Sequence, residues 1–509
     1  MHLLKSKYFG IIRSITVAIA LLLQAAIMVL LSLYLFRFFL VTYLGIEVLS
    51  ILLVFGLVYN EESYKSFWIV IILIMPVAGF FLYSVWGRRR KNSKNYRHIR
   101  EVEFQAFKYL KPNKQVENDV YRQHPNKVQI CRYLEKEGFP IYKNTDVKYY
   151  AEGEDVFDDM IEDLKNAKRF ILMEYFIVAD GILWQSILNI LTEKVKEGVE
   201  VRLLLDDFGT LIINNKKFQE DIKSRGIQME MFGPIHKNVS SLSFNYRNHQ
   251  KITVIDGNIG YTGGINIADE YANLITRFGH WKDSGIRLYG EGVFTMTCIF
   301  FEMWMITTGE NDIRCDQYRP LAAIPEDGFV QPFMGGPHRN PKNPTEGVYT
   351  RMINKARDYI YITTPYLVLD RSMLDDLTSA AQSGVDVRII VPQIYDKWYV
   401  YMVNVSNYGK LMQNGVRVYE YKPGFIHAKN VIVDDECAIC GTINTDYRSF
   451  YHHYECGVFL SEVPAVKDMK DDFVETLLQC EEITLEKWSN RPKKDKMIQN
   501  ALKIMSPVL

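Results

Sequence analysis

One pattern written twice constrains this chain more than any other feature. "NHQKITVIDGNIGYTGGIN" and, later, "IHAKNVIVDDECAICGTIN" share His-x-Lys, four residues, Asp, six residues, Gly, two residues and Asn. The first copy is His249, Lys251, Asp256, Gly263 and Asn266; the second is His427, Lys429, Asp434, Gly441 and Asn444. A lone His-x-Lys at a strand end would carry no information, but two copies with Gly and Asn also in register point to a duplication.

The repeat extends beyond the motif. "LKNAKRFILMEYF" matches "INKARDYIYITTPYL", "KEGVEVRLLLD" matches "QSGVDVRIIVP", and "SRGIQMEMFGP" matches "QNGVRVYEYKP", in the same order in both halves. Runs of Val, Ile, Leu and Tyr bounded by Gly or Pro read as buried strands, and their alternation with helical stretches reads as an α/β layer architecture. A chain of 509 residues exceeds one ordinary core. Two α/β halves, mixed sheets flanked by helices, are expected to face each other about a pseudo-two-fold axis with the active site between them.

Each motif is expected to lie on a strand, where period-two alternation sets His249 beside Lys251 and His427 beside Lys429 on one face. The Gly-containing turn that follows brings Asn266 and Asn444 back to that face. Two imidazoles, two ammoniums and two amides around one point suit a phosphodiester. Lys251, Lys429, Asn266 and Asn444 hold the oxygens, one imidazole attacks phosphorus and the other protonates the leaving alkoxide. No metal or other cofactor is needed, and the motifs lack a carboxylate cluster for Mg²⁺. Asp283 and Glu455 follow their respective histidines at comparable distances and are the candidate acids behind the second ring nitrogens.

Apolar residues concentrate at the N-terminus. Residues 14–36, 38–59 and 66–87 each approach the roughly 20 residues that cross a hydrocarbon core. A cleaved signal peptide is disfavoured by the length of the first stretch and by the two that follow. "GRRRKNSK" after the last span places the soluble body in the cytoplasm, against the weaker pull of Lys5, Lys7 and Arg13. With almost no loop around Arg37, two or three full crossings are expected. The expected divisions are a membrane anchor over 1–95, a connecting segment 96–150, halves at 151–335 and 336–485, and an amphipathic tail 486–509.

The 60 basic and 60 acidic residues cancel, so no global cationic field argues for nucleic acid. Seven cysteines, an odd number, cannot all pair within the chain, and Cys437 and Cys440 read as small buried strand residues rather than a metal or redox pair.

The paired motifs resemble the two HKD motifs of the phospholipase D superfamily, and the resemblance runs from about residue 157 to 460. "YRNHQKITVIDGNIGYTGGINIADEY", "HWKDSGIRLYGEGV", "TPYLVLD", "GTINTDYRSFYHHYE", "PVAGFFLYSVWG" and the closing "SPVL" are, more narrowly, similar to bacterial cardiolipin synthases. This resemblance implies phospholipase D-like halves in a bacterial cell-membrane protein whose partners are phosphatidylglycerol, cardiolipin and the bilayer. It implies a reversible transfer in which His249 is the nucleophile, His427 is the acid and later the base, and glycerol leaves. Asp256 and Asp434 complete the catalytic motifs and are expected to support strand and turn rather than touch phosphate. His452 and His453 depart from the pattern, standing where relatives commonly carry an apolar residue and Asn, as does Arg371 after "TPYLVLD". Extra catalytic groups and merely solvated or hydrogen-bonded side chains both remain open for the His pair. A hydrolase, a transferase using another alcohol or phospholipid, and a non-catalytic membrane scaffold are the rival readings. The aromatic stretch "YDKWYVYMVNVSNYG" reads equally as lipid-facing or core, and the tail as lying on anionic lipid or in solvent.

Overall fold

The computed structural model describes residues 19, 22–30, 33, 39–58, 65–83, 94–234, 246–339, 343–504 and 506. From residue 145 onward one plan is built twice. The first sheet orders its seven strands Thr145–Tyr150, Gly285–Gly290, Ile259–Gly263, Ile252–Ile255, Phe170–Tyr175, Glu200–Asp206 and Gln228–Phe232. In the second sheet Phe329–Gly335, His453–Ser461, Cys437–Gly441, Asn430–Val433, Tyr359–Thr363, Asp386–Pro392 and Arg417–Tyr421 take the same places, and Cys480–Glu482 is added at the edge. Both sheets are mixed, as expected. The last three of the shared strands run parallel and the others pair antiparallel. "FILMEY" and "YIYIT" are buried at every position, which is why these central strands read as continuous apolar runs instead of alternating ones.

The halves are fastened by helices that follow equivalent strands. Val293–Thr308 is apolar round nearly its whole circumference, and such a helix is stable only when covered on all sides. It is buried from Val293 to Met305 between strands of the first sheet, Phe329–Gly335 of the second, and helix Lys94–Phe107. Its counterpart Pro464–Leu477 packs across to Thr145–Tyr150, where the Tyr149 hydroxyl donates to Asp472 at 2.6 Å and Lys282 Nζ reaches the same carboxylate at 2.8 Å.

Asp256 and Asp434 sit at the hairpin between the two motif strands with φ of 55° and 56°, a left-handed conformation that Asp tolerates better than most residues. Gly257 and Asp435 follow with φ of 73° and 56°, as a two-residue type I′ turn requires. Each carboxylate collects three backbone N–H groups from the start of a central strand. Asp256 accepts from Lys168, Arg169 and Phe170 at 2.8, 2.6 and 3.0 Å; Asp434 accepts from Arg357, Asp358 and Tyr359 at 2.8, 2.9 and 2.8 Å. These aspartates therefore lock the hairpin to the sheet.

All seven cysteines are free, six of them buried, and burial pushes Cys437 and Cys440 up to about 12. Within "YDKWYVYMVNVSNYG", Tyr395 and Trp398 are exposed while Val403, Asn407 and Tyr408 are core, so both readings hold for different residues. The terminal helix Lys493–Ile504 packs on helix Trp398–Gln413, and Trp488 Nε1 donates to Val405 O at 2.7 Å.

Helices Phe39–Val58, Lys65–Ile74 and Pro76–Leu82 lie in the apolar N-terminal region. Among the described residues no helix is long and apolar enough to cross a membrane, Phe39–Val58 being described with its side chains only in part. Most of the expected first span, the greater part of the basic run 87–94 and most of the closing "SPVL" lie outside the described residues.

The aspartate anchors predict a stability difference. Replacing Asp434 by Ala strands three N–H groups and keeps an unfavourable φ, which costs roughly 2–4 kcal/mol. Thermal unfolding of the full-length protein in detergent should show a clear fall in Tm for Asp434→Ala and a smaller one for Asp434→Asn, which keeps one acceptor. Equal Tm values for both variants and the parent would refute the anchoring role.

Candidate active site

The two motifs meet because each half lends the other a short piece of strand. Arg247–Asn248 pairs in parallel with the start of His453–Ser461, and Gly424–Ile426 pairs in parallel with His280–Lys282. The chain then turns into its own sheet at Ile252 and at Asn430. His249, Lys251, His427 and Lys429 occupy the handover points, outside regular strand. This corrects the expectation that they lie on the strand itself. Their backbone still bonds, but to the other half: the His249 amide donates to Tyr454 O at 3.0 Å and the His427 amide to Lys282 O at 2.7 Å.

The handover also decides which carboxylate meets which imidazole. His249 Nδ1 lies 3.0 Å from the Glu455 carboxylate, and His427 Nδ1 lies 2.6 Å from Asp283 Oδ2. The sequence reading placed each acid behind the histidine it follows in the chain; the structure crosses them. A carboxylate that accepts the Nδ1–H hydrogen bond fixes that tautomer and leaves Nε2 as the reactive atom.

The two pairs are built differently. Glu455 also accepts hydrogen bonds from the Ser449 hydroxyl at 2.7 Å and from the Thr442 hydroxyl. Asp283 accepts the N–H of Ser284 at 2.9 Å, and the position matching Thr442 is Gly264, where a Cβ would fall 2.0 Å from Asp283 Oδ1. His427 stands among aromatic rings, with Tyr271 and Trp281 each 5.6 Å away and Phe425 5.7 Å away. His249 has Phe176 edge-on at 5.0 Å and His453 at 5.2 Å.

Lys251 Nζ donates to the His249 carbonyl at 2.6 Å and Lys429 Nζ to the His427 carbonyl, so each ammonium sits against its own histidine. Asn266 is engaged on both sides of its amide, accepting from Ile177 N at 2.9 Å and donating to the Tyr271 hydroxyl at 2.8 Å. Among the described residues no hydrogen-bond partner reaches the buried Asn444 Oδ1.

Burial governs the protonation of these groups. It pulls Lys251 down to about 7 and Lys429 to about 8. Burial, then the Lys429 charge, brings His427 to about 4; burial, then Lys251, holds His249 well below the ordinary imidazole range. Burial pushes Glu455 up to about 8. Asp283 goes the other way: burial works to raise it, but the charges of His427 and Lys429 hold it below the usual carboxylate range. Lys429 and His427 both act on His249, and Lys251 acts on His427, so the four groups share one electrostatic environment.

His452 and His453 are both buried, which removes the solvated reading. His452 stacks on Tyr246, while His453 accepts from Arg448 Nε at 3.3 Å and has Nδ1 3.4 Å from Glu455 Oε1. Among the described residues His249, His453 and Glu455 form one group able to hold a metal ion, with donor atoms within 4.8 Å of one another. Burial, and after it the charges of Arg448, Lys251 and Arg247, depress His453, and those same charges oppose a dication there. Sequence reasoning missed Ser449, Thr442, Tyr271 and Phe176. A hydroxyl at 442 opposite a Gly at 264 in otherwise matching motifs was the available signal.

Comparison with known proteins follows this division. Residues 160–276 and 349–477 match the family described as "Cardiolipin synthase, PLD-like domain", and residues 48–88 match "Phospholipase_D-nuclease N-terminal". An uncharacterized protein of Streptococcus mutans serotype c is 38% identical over 449 residues, covering 87% of this chain and 96% of its own. Cardiolipin synthase 2 of Bacillus anthracis is 34% identical over 454 residues, covering 88% of each chain. The crystal structure of phosphatidylserine synthase from Haemophilus influenzae Rd KW20 superposes with a TM-score of 0.58 at 15% identity, over 74% of this chain and 99% of that one, a likeness of fold.

The lowered lysines predict pH-dependent anion binding. Each ammonium is lost as pH rises through about 7 and about 8, so a tetrahedral oxyanion such as tungstate should bind at least tenfold more weakly at pH 9 than at pH 6 by calorimetry. An affinity unchanged over that range would show that the lysines do not hold the anion.

Proposed function

The chain belongs to the cardiolipin synthase family, and on that footing we propose that it transfers a phosphatidyl group from one phosphatidylglycerol to another, giving cardiolipin and glycerol. The observation that carries this reading is the crossed pair of histidine–carboxylate couples, His249 with Glu455 and His427 with Asp283. His249 Nε2 attacks phosphorus and the bond to the glycerol oxygen breaks. His427 gives its proton to that oxygen. The terminal hydroxyl of a second phosphatidylglycerol then returns a proton to His427 and attacks phosphorus, and the phosphorus–nitrogen bond to His249 breaks. One phosphodiester is exchanged for another, so the reaction is reversible.

The assignment of roles has electrostatic support. Burial brings His427 to about 4, and the ionised Asp283 works against that shift, so His427 is the imidazole placed to take up a proton once an anionic diester is bound, whereas Glu455, pushed up to about 8, favours a neutral nucleophile at His249. Lys251 and Lys429 hold the non-bridging oxygens, with Asn444 and Asn266 beside them, and no metal is required. An anchor of two or three spans over 1–95, a connecting segment over 96–150, a cytoplasmic body, and halves expected at 151–335 and 336–485 complete the proposal, with the bounds moved so that strand Thr145–Tyr150 belongs to the first half and strand Phe329–Gly335 to the second. The family match over 48–88 falls within that anchor.

Incubating the detergent-solubilised protein with phosphatidylglycerol and a chelator should yield cardiolipin and glycerol in equal amounts by mass spectrometry; phosphatidic acid instead would make water the acceptor. The crossing gives a sharper test. With a p-nitrophenyl phosphatidyl ester, whose leaving group needs no protonation, the first-turnover burst of p-nitrophenol release by Asp283→Asn and His427→Ala should return to near the parent rate, while later turnovers, which need His427 as base, stay slow. Glu455→Gln and His249→Ala should stay down by roughly 10²- to 10⁴-fold. Rescue of Glu455→Gln and not of Asp283→Asn would reverse the roles of the two histidines.

A further inference from the structure

Three loops around the catalytic histidines hold large apolar side chains in the open. Ile212 is 91% exposed, and Phe208, Leu274, Ile275, Tyr395 and Trp398 lie between 45% and 54%. Scattered surface apolar residues need no explanation, but these are grouped by the fold. The 208–212 loop leaves strand Glu200–Asp206, and Asp206 ties it to the site by accepting the amides of both Phe208, at 2.8 Å, and Asn248, at 3.0 Å. Gly209 meets the backbone of Phe176, whose ring lies on His249. The 394–398 loop leaves strand Asp386–Pro392, which holds the equivalent place in the second sheet. Its Asp396 accepts from the Tyr366 hydroxyl at 2.6 Å and feels the charge of His427. Leu274 and Ile275 follow Asn273, whose side chain bonds the backbone N–H of Trp281 at 2.8 Å, beside His427. One apolar loop thus stands over His249, and two, one from each half, stand by His427.

We propose that these loops are two lips that dock into the acyl region of the bilayer, one on either side of the cleft, so that donor and acceptor phospholipids enter sideways without leaving the membrane. The proposal rests on the reading of the chain as an enzyme acting on two diacyl lipids. The occupant is a bilayer because such a substrate must bring its diester to buried histidines while its chains stay among apolar groups. The mixture of Ile and Leu with Trp and Tyr is also the composition favoured at a membrane boundary. A duplicated fold that uses two lipids places an apolar approach beside each histidine.

Two measurements on the full-length protein test this. The paired substitution Ile212→Ser with Trp398→Ser should lower the rate on vesicles of phosphatidylglycerol and phosphatidylcholine at least tenfold, and leave the rate on short-chain, monomerically dispersed phosphatidylglycerol within twofold. Equal rates of parent and variant on vesicles would overturn the proposal, whereas a parent inactive on both substrates would strike at the transferase reading instead. The second readout needs no turnover. Ile212→Cys and Trp398→Cys, each labelled with an environment-sensitive fluorophore against the largely buried native cysteines, should be quenched by brominated acyl chains after reconstitution. Absence of quenching at either position overturns the two-lip arrangement.

Discussion

A buried imidazole needs a partner for its Nδ1 hydrogen, and for both His249 and His427 that partner comes from the opposite half. Two short parallel strand pairs make this possible, Arg247–Asn248 with the start of His453–Ser461 and Gly424–Ile426 with His280–Lys282. Parallel pairing of such short segments is weak by itself. It persists because each segment continues into a strand of its own sheet and because the helices Val293–Thr308 and Pro464–Leu477 are buried between the sheets. The site is therefore a property of the joined halves. Separating them would expose an apolar helix and remove the carboxylate from each histidine at the same moment.

Duplication supplied the two-fold plan, and a few divergences made its centres unequal. Thr442 corresponds to Gly264, Ser449 to Tyr271, His453 to Trp281 and Glu455 to Asp283 in the two copies. The longer Glu455 side chain is held by two hydroxyls, and burial keeps it prone to carry a proton; the shorter Asp283 is held ionised by neighbouring cations. Phosphatidyl transfer needs one histidine neutral while the other is charged; two identical pockets could share a proton either way, and the unequal pockets set which histidine carries it. The loops after strands Glu200–Asp206 and Asp386–Pro392, which hold equivalent places in the two sheets, both expose apolar side chains, so some of the two-fold plan survives outside the centre.

Much of this was legible in the sequence. Spacing alone fixed the paired His, Lys, Asp and Asn positions, because residues that must converge from two copies of one fold keep their register in both. Runs such as "FILMEY" and "YIYIT" announced central strands, since a strand covered on both faces has no polar alternation. The supporting role of Asp256 and Asp434 could be anticipated from a turn, and the three N–H groups that each binds gave it a mechanism. What the sequence could not carry was any contact between the halves. The crossing of Glu455 to His249 and of Asp283 to His427 and the burial that shifts the lysines depend on how two sheets dock. Chain order specifies local hydrogen bonding and the duplication of a fold. Which half's carboxylate reaches which imidazole is set by packing and desolvation across the interface, which no local pattern records.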